Sequence, residues 1–171
     1  MENNTTLRAG NKIVIREMKQ GDIMNILEIE KLSFASPWTK GMLKETLSSP
    51  IAANFVMATD KILVGYIMVY SVEDEAHILN LAAHPDHRRR GYASRLIRHT
   101  VDRCRDKGVS EFFLEVRESN NCAKTLYRKI GFEVIGRRKR YYTETNEDAL
   151  VMQLSLHSSC FLSAVRSNEE L

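Results

Sequence analysis

The sequence predicts one α/β or α+β domain built on a sheet of mixed strand direction. Through the middle of the chain, apolar runs typical of strands alternate with segments of helical periodicity. The 171 residues suffice to bury one core, and the 43% hydrophobic and 27% charged contents are those of an ordinary globular domain. No internal repeat, low-complexity tract or linker divides the chain. These observations favour a single domain.

The composition also limits the classes of function. A net charge of +3 is too small to indicate nucleic-acid binding. The polar N-terminus lacks an apolar signal core, and no apolar run is long enough to span a bilayer. Cys104, Cys122 and Cys160 show no metal-ligand spacing and fit a reducing compartment. We therefore expect a cytoplasmic protein without a membrane segment, a metal site or direct nucleic-acid contacts.

The N-terminal third predicts one strand and two helices. Residues 1–11 are polar and expected to be flexible, and residues 13–15 form the first strand. Asp22 is expected to cap the first helix, and Pro37 with Trp38 separates it from a second helix that ends near Ser48. Trp38, the only tryptophan, either clamps the two helices together or contacts substrate. The predicted buried positions of the two helices are Ile23, Ile26, Leu27, Leu32, Met42, Leu43 and Leu47.

Three strands follow in the middle of the chain. Residues 55–59 and 62–70 predict a hairpin with a tight turn at Asp60 and Lys61. The second of these strands is apolar on both faces, so it should lie inside the sheet. Residues 76–83 form the next strand.

A basic turn joins this strand to a helix that begins near Tyr92. The first N–H groups of a helix have no partner within it and carry partial positive charge. Gly91 lets the backbone approach an anion closely, and residues 88–90 are arginines. The turn is either a phosphate-binding device or a solvated basic segment before an amphipathic helix. The predicted buried face of that helix carries Ala93, Leu96, Ile97, Thr100, Val101 and Cys104.

The C-terminal part predicts three further strands and one helix. Gly108 is expected to cap the preceding helix, and Gly131 to stop the helix of residues 121–130. The strands are residues 111–116, a strand starting at 132–135, and 149–154, which closes the sheet. The tail from residue 155 is either disordered or a short docked helix.

Two residues of this region, Glu115 and Tyr127, are candidates for a catalytic role. Glu115 lies in an otherwise apolar strand, where burying a carboxylate costs free energy unless it has a partner or a purpose. The alternative is a strand-end glutamate that faces water or pairs with Arg117. Tyr127 is either a core tyrosine or a proton donor, and Asn120 precedes its helix as a possible N-cap.

Several motifs together resemble the GCN5-related N-acetyltransferase (GNAT) family. Arg88-x-x-Gly91-x-Ala93 matches the Q/R-x-x-G-x-G/A segment with which that family binds the pyrophosphate of acetyl-CoA, although arginine replaces the commoner glutamine and alanine the commoner glycine. Further motifs follow in the family's order, at 114–117, 119–120, 123–127 and 131–132. Residues 37–39, 141–142 and 147–149 are typical of the RimI-type, ribosomal-protein-alanine branch. The resemblance covers residues 12–154, between a flexible N-terminus and a tail of residues 155–171.

This resemblance implies a fold, a cosubstrate and roles for named residues. The fold would be a mixed sheet of about seven strands flanked by about four helices. Glu115 would accept the proton of the attacking amine, and Tyr127 would donate a proton to the CoA sulfur. The residues that would bind acetyl-CoA are Leu81, Ala82, Ala83, Arg89, Arg90, Gly91, Tyr92, Ala93, Ser94 and Asn120.

The resemblance further implies an acceptor. Trp38, Tyr141 and Tyr142 would line its channel, although cross-strand pairing of the tyrosines and a solvated edge at residues 137–140 remain open. The acceptor in this branch is the N-terminal alanine of a small-subunit ribosomal protein. Alternatives are a relaxed N-terminal acetyltransferase, a small-amine or lysine acetyltransferase, and a non-catalytic acetyl-CoA-binding module. A monomer or weak homo-oligomer is expected.

Overall fold

A seven-stranded mixed sheet with helices on both faces forms the protein. The computed structural model describes residues 13–59 and 62–157. The strands are β1 Val14–Glu17, β2 Phe55–Ala58, β3 Leu63–Val72, β4 Glu75–Ala83, β5 Glu111–Arg117, β6 Glu133–Tyr142 and β7 Glu147–Ser155. The helices are α1 Ile23–Ser33, α2 Lys40–Ser48, α3 Tyr92–Arg105 and α4 Asn121–Ile130. The strand order is β1-β2-β3-β4-β5-β7-β6, and β4 and β5 form its parallel pair.

Strand β3 separates two apolar cores. Ile67 and Val69 pack under α3 and α4 on one face, whereas Tyr66 and Met68 pack under α1 and α2 on the other. A strand buried on both faces reads as a continuous apolar run, which is why its interior position could be predicted. The predicted fold class is confirmed.

The buried face of α1 differs from the prediction. Leu32 is 55% exposed, and the position expected for it is taken by Ile29 and Glu30, both of which are buried. Leu32 lies six residues after Ile26, which is about 120° away around a helix with 3.6 residues per turn and off the buried face, so the prediction was wrong. Met42 is likewise exposed, because α2 buries Leu43 and Thr46 instead; that prediction was also wrong.

Two predicted caps also differ in detail. Asp22 immediately precedes α1, but its carboxylate accepts from the Lys19 N–H at 2.8 Å and so caps the short 3-10 turn Gln20–Asp22. Gly108 has a φ of +95°, yet it lies beyond Asp106, the C-cap residue that follows α3. It therefore turns the chain after the helix rather than capping it. Gly131 caps α4 as predicted.

The basic run is part of the strand whose start was predicted at residues 132–135. Strand β6 continues from Glu133 to Tyr142 at the edge of the sheet and pairs with β7. Charged side chains on an edge strand discourage further pairing, so residues 137–140 suit this position. The sequence of β6 lacks the alternation of apolar and polar residues that marks a strand, because β6 is exposed on both faces along most of its length.

Three predictions fall outside the described residues: the flexible N-terminus of residues 1–11, the turn at Asp60 and Lys61, and the tail beyond residue 157 with Cys160. Within the described ranges, no helix has the length and apolar character needed to cross a membrane.

Candidate active site

A cleft opens where β4 and β5 part. The two strands pair in parallel from Glu75 with Glu111 to Ile78 with Leu114, and the pairing stops there. Beyond that point β4 stays paired with β3, and β5 stays paired with β7. Leu79 is an extra residue in β4, because its neighbours Ile78 and Asn80 pair with consecutive residues of β3. Such a bulge bends a strand and increases its twist, which accounts for the divergence.

The cleft has a volume of about 560 Å³ and reaches both faces of the sheet. Its lining comes from α1 and the loop after it on one face, from α4 on the other, and from the β6–β7 turn. Six of the residues predicted to be functional line it: Trp38, Leu81, Glu115, Asn120, Tyr127 and Tyr142. A ligand can therefore enter from either face and meet another ligand within the sheet.

Glu115 projects into the cleft because of the alternation of β5. Its neighbours Leu114 and Val116 point into the core, and the Glu115 side chain is 25% exposed. One carboxylate oxygen lies 3.2 Å from Nη2 of Arg138 on β6. The predicted alternative partner, Arg117, is instead paired with Glu144 and Glu147, so that alternative was wrong.

Tyr127 reaches the cleft from α4. Its ring packs against Phe132, with 5.7 Å between ring centroids, and is almost completely buried. Burial raises the pKa of Tyr127, with a smaller contribution from Tyr142, so the phenol stays protonated at neutral pH. Among the described residues, no hydrogen-bond partner of its hydroxyl group is found. A protonated phenol in this position can donate to a ligand.

Asn120 begins α4 at the edge of the cleft. Its side-chain oxygen accepts from the Ala123 N–H at 3.1 Å, which makes it the N-cap of the helix, as predicted. The cap uses only the oxygen of the amide. The NH₂ group of Asn120 is thus available for a second interaction.

The two tyrosines of β6 are placed differently. Tyr142 lines the cleft, and the Arg117 guanidinium lies 3.8 Å from the centre of its ring. Burial raises the pKa of Tyr142 to about 12, with Arg117 acting in the opposite direction. Tyr141 is 46% exposed, lies outside the cleft lining and contacts the Tyr142 ring edge-on. The structure therefore brings only Tyr142 to the cleft.

The turn before α3 leaves the first N–H groups of the helix uncapped. Arg89 has a φ of +61° and Gly91 a φ of +75°, and no side chain caps the helix. The first N–H within the helix to find a partner is that of Arg95, which donates to the Gly91 carbonyl at 3.0 Å. The N–H groups of residues 92–94 are thus available, and Arg89 and Arg90 are exposed beside them.

Arg88, at the first position of the same motif, has another role. Its guanidinium donates to Ser33 Oγ at 3.1 Å and to the Ala83 carbonyl at 3.4 Å. It braces the turn against the end of α1 and the end of β4. The side chain that begins the motif therefore holds the turn in place, and Arg89, Arg90 and Gly91 are exposed.

Two polar residues of the cleft, Glu30 and Asn80, were missed by the sequence analysis. Glu30 is completely buried and accepts hydrogen bonds from the Trp38 N–H, the Asn80 side chain and the Tyr66 hydroxyl. Its position was detectable, because Glu30 follows Ile23 by seven residues and Ile26 by four, on the apolar face of α1.

Trp38 itself packs against the core under α1 and α2 and also lines the cleft, so both of its predicted roles are compatible with its position.

Comparison with known proteins places these features in a family. The model of the acetyltransferase (GNAT) family matches residues 23–132. A relative from Bacillus subtilis, the putative [ribosomal protein bS18]-alanine N-acetyltransferase, is 40% identical over 85% of this chain and 97% of its own length. The [ribosomal protein bS18]-alanine N-acetyltransferase of Escherichia coli K12 is 31% identical over 83% of this chain and 97% of its own. The crystal structure of the Escherichia coli ribosomal-protein-S18-alanine N-acetyltransferase has a TM-score of 0.80 at 29% identity, covering 86% of this chain and 96% of that one.

Proposed function

The chain belongs to the GNAT family of acetyltransferases, and from this premise we propose that it acetylates the N-terminal alanine of a small-subunit ribosomal protein. The relatives named for this reaction support the acceptor. The observation that carries the proposal is the cleft between β4 and β5, which is lined by both Glu115 and Tyr127 and is open to both faces of the sheet. Reaction at a ribosomal protein implies a cytoplasmic location.

Acetyl-CoA supplies an acetyl thioester in this reaction. In our proposal the N–H groups of Tyr92, Ala93 and Ser94, with Arg89 and Arg90, hold its pyrophosphate. The free N–H groups and the positive φ at Gly91 support this assignment. Backbone groups of Leu81, Ala82 and Ala83 hold the pantetheine arm, since this stretch of β4 lacks a β5 partner. Asn120 adds its NH₂ group.

The acceptor enters from the face that carries α1, past Trp38 and Tyr142. Four carboxylates line the cleft, those of Glu30, Glu115, Glu144 and Glu147. Among the described residues, Arg117 is the only cationic side chain in the lining. Such an excess of negative charge attracts an ammonium group. A peptide α-ammonium, with a pKa of about 8, is mostly protonated at neutral pH and must lose a proton before it can attack.

Glu115 takes that proton in the proposed mechanism. Its ion pair with Arg138 has to open first, and both side chains are partly exposed. Exposed ion pairs contribute only about 0–1 kcal/mol, so opening costs little. The carboxylate then lies free in the cleft, where the amine can approach it.

Acetyl transfer also requires that the negative charge on the thioester oxygen is stabilised and that the departing CoA sulfur is protonated. In our proposal β4 meets the first requirement and Tyr127 the second. Backbone N–H groups on the unpaired side of residues 79–83 polarise the carbonyl group, since donors fixed in advance stabilise developing charge without reorganising. The Tyr127 hydroxyl gives its proton to the departing sulfur. Its buried, protonated state supports this role.

Acetyl transfer to a panel of short peptides tests the proposal. The panel contains free N-termini beginning with Ala, Ser, Gly, Met-Leu and Met-Glu, and one N-blocked peptide with an internal lysine. We expect preference for Ala, and a loss of about 10²–10⁴-fold in rate for Glu115→Gln, with a smaller loss for Tyr127→Phe. Glu118→Gln is the matched control. Glu118 pairs with Arg137, which lies next to Arg138 on β6, but Glu118 is outside the cleft lining.

The possible outcomes separate the alternatives. Similar turnover on several N-termini would replace the proposal with a relaxed N-terminal acetyltransferase. Activity on the internal lysine alone would indicate a side-chain acetyltransferase. Full activity of Glu115→Gln would remove the proposed base.

A further inference from the structure

Glu30 occupies a position that is unfavourable for a carboxylate. It is completely buried and lies in the last turn of α1, where the helix dipole disfavours negative charge. No ion pair within the described ranges includes it. A buried charge without a cationic partner is strongly unfavourable unless hydrogen bonds satisfy it. A residue that carries such a cost without adding apolar packing invites a functional explanation.

Three neutral donors from three parts of the chain satisfy this carboxylate. Oε1 accepts from the Tyr66 hydroxyl of β3 and, at 2.6 Å, from the Asn80 amide of β4. Oε2 accepts from the Trp38 N–H, at 2.8 Å, in the loop between α1 and α2. Burial and the charge of Glu30 raise the pKa of Tyr66, which keeps its hydroxyl protonated as a donor.

Two of these three donors belong to the walls of the cleft. Trp38 lines its α1 side, and Asn80 follows the bulge at which β4 turns away from β5. Tyr66 does not line the cleft and supports the carboxylate from the interior. Glu30, which itself lines the cleft, therefore connects the loop that carries Trp38 to the strand that carries Asn80.

We propose that Glu30 is a positioning residue, which fixes Trp38 and Asn80 on the acceptor side of the cleft and so limits the size of the first acceptor residue. The kinetic part of this inference rests on the proposed N-terminal acetyltransferase function. Glu30 does not touch the reacting atoms. It acts by holding two walls at a fixed separation, and displacement of a substrate-binding wall by 1 Å can change rates by about 100-fold.

Replacement of Glu30 by glutamine disturbs this arrangement with little change of shape. An amide offers one oxygen and one NH₂ group, whereas the carboxylate accepts on both of its oxygens. If the glutamine oxygen accepts from Tyr66 and Asn80, its NH₂ group faces the Trp38 N–H, donor against donor. In the opposite orientation the NH₂ group faces the Asn80 amide. At least one wall of the cleft is released in either case.

Asp22→Asn is the matched control for Glu30→Gln. Asp22 is also a buried carboxylate next to α1 that accepts a backbone N–H, but it lines a different cavity, of about 340 Å³. Both variants should lower the melting temperature. Only Glu30→Gln should raise the KM for the acceptor peptide, by at least about tenfold, and lower the Ala over Met-Leu preference at least about fivefold. The KM for acetyl-CoA should change less than about twofold in both variants.

Fluorescence of Trp38, the single tryptophan, gives a readout that needs no activity. We expect acrylamide to quench Trp38 at least about twice as efficiently in Glu30→Gln as in the wild type, and equally in Asp22→Asn and the wild type. Unchanged quenching together with a wild-type acceptor KM in Glu30→Gln would overturn the inference, because release of Asn80 alone would still raise that KM. If quenching changes while the wild type acetylates no N-terminal peptide, the proposed function fails and the positioning role stands.

Asn80→Ala covers the case in which Glu30→Gln does not fold. This variant keeps the bond between Glu30 and the Trp38 N–H and releases only β4. The acceptor KM should rise about threefold or more, with Trp38 quenching unchanged. An acceptor KM and a peptide preference equal to those of the wild type would contradict the role of Glu30 in holding β4.

Discussion

At the scale of single residues, the two buried carboxylates next to α1 are stabilised in opposite ways. Asp22 is paired with Arg16 through two hydrogen bonds of 2.7 Å, whereas Glu30 is held by neutral donors. The hydrogen bonds from Arg16 lower the pKa of Asp22 and outweigh the opposing effect of burial. Asp22 therefore stabilises the folded state, and its contribution to the free energy of unfolding should depend on pH.

The predicted dependence follows from the direction of that shift. A carboxylate whose pKa is lower in the folded state stabilises the protein above its unfolded pKa, about 3.9, and loses this contribution as the pH falls through the folded value. Asp22→Asn should therefore lower the free energy of unfolding by about 1–3 kcal/mol at pH 6, and by less at pH 3. Urea denaturation at both pH values measures the difference. An equal loss at both values would contradict the assignment.

At the scale of secondary structure, the start of α4 combines a helix cap with the proposed ligand contact. Asn120 uses its oxygen to cap the helix at Ala123 and leaves its NH₂ group at the cleft. A serine at this position keeps the cap but has no NH₂ group, and an alanine has neither. The two substitutions therefore separate the structural role from the proposed contact with CoA.

Asn120→Ala should lower the free energy of unfolding by about 1 kcal/mol, whereas Asn120→Ser should change it by a few tenths. If the NH₂ group binds CoA, both variants should raise the KM for acetyl-CoA by a similar factor. Thermal denaturation and initial-rate kinetics measure the two effects. A wild-type KM in Asn120→Ser would leave the cap as the only role of Asn120.

The sheet explains why the candidate site lies where it does. Parallel pairing between β4 and β5 lasts for only four residue pairs before the bulge at Leu79 turns β4 away. The backbone groups released on that side become available to a ligand, since they no longer bond to the neighbouring strand. A local irregularity in one strand thus creates the opening that passes through the sheet.

At the scale of the whole molecule, binding of acetyl-CoA should stabilise the native state. A ligand at 100 times its Kd adds about 2.7 kcal/mol. For a protein of this size, that corresponds to a rise in Tm of roughly 5–10 °C. Gly91→Ala should reduce this rise. Gly108→Ala is its matched control, since Gly91 and Gly108 both have positive φ values, +75° and +95°, with open space where a Cβ would lie.

Each alanine should lower the Tm of the ligand-free protein to a similar extent, because the left-handed conformation costs about 1–2 kcal/mol for a residue with a Cβ. Only Gly91 lies in the proposed pyrophosphate turn, so Gly108→Ala should keep the full response to acetyl-CoA. Melting curves with and without saturating acetyl-CoA decide the matter. An equal rise in Tm in Gly91→Ala would contradict the proposed binding turn.

The sequence by itself determined the features that depend on local spacing. The apolar run of β3, the helical periodicity of α3 and the glycine that ends α4 each predict an element from neighbouring residues alone. The turn proposed to bind the pyrophosphate was also predicted from residues that are adjacent in the chain, its arginines and Gly91. The bounds of α4 were predicted correctly for this reason.

Tertiary structure alone decided which distant residues meet. The partner of Glu115 is Arg138 rather than the nearby Arg117, because the strand order places β7 beside β5 and β6 next to β7, within reach of the Glu115 side chain. Likewise Glu30 lies 36 positions from Tyr66 and 50 from Asn80, and only the packing of α1 on the sheet brings them together. Local periodicity contains no information on strand order or on the parting of two strands. Contacts across such distances follow from the burial of both faces of the sheet, which involves the whole chain at once.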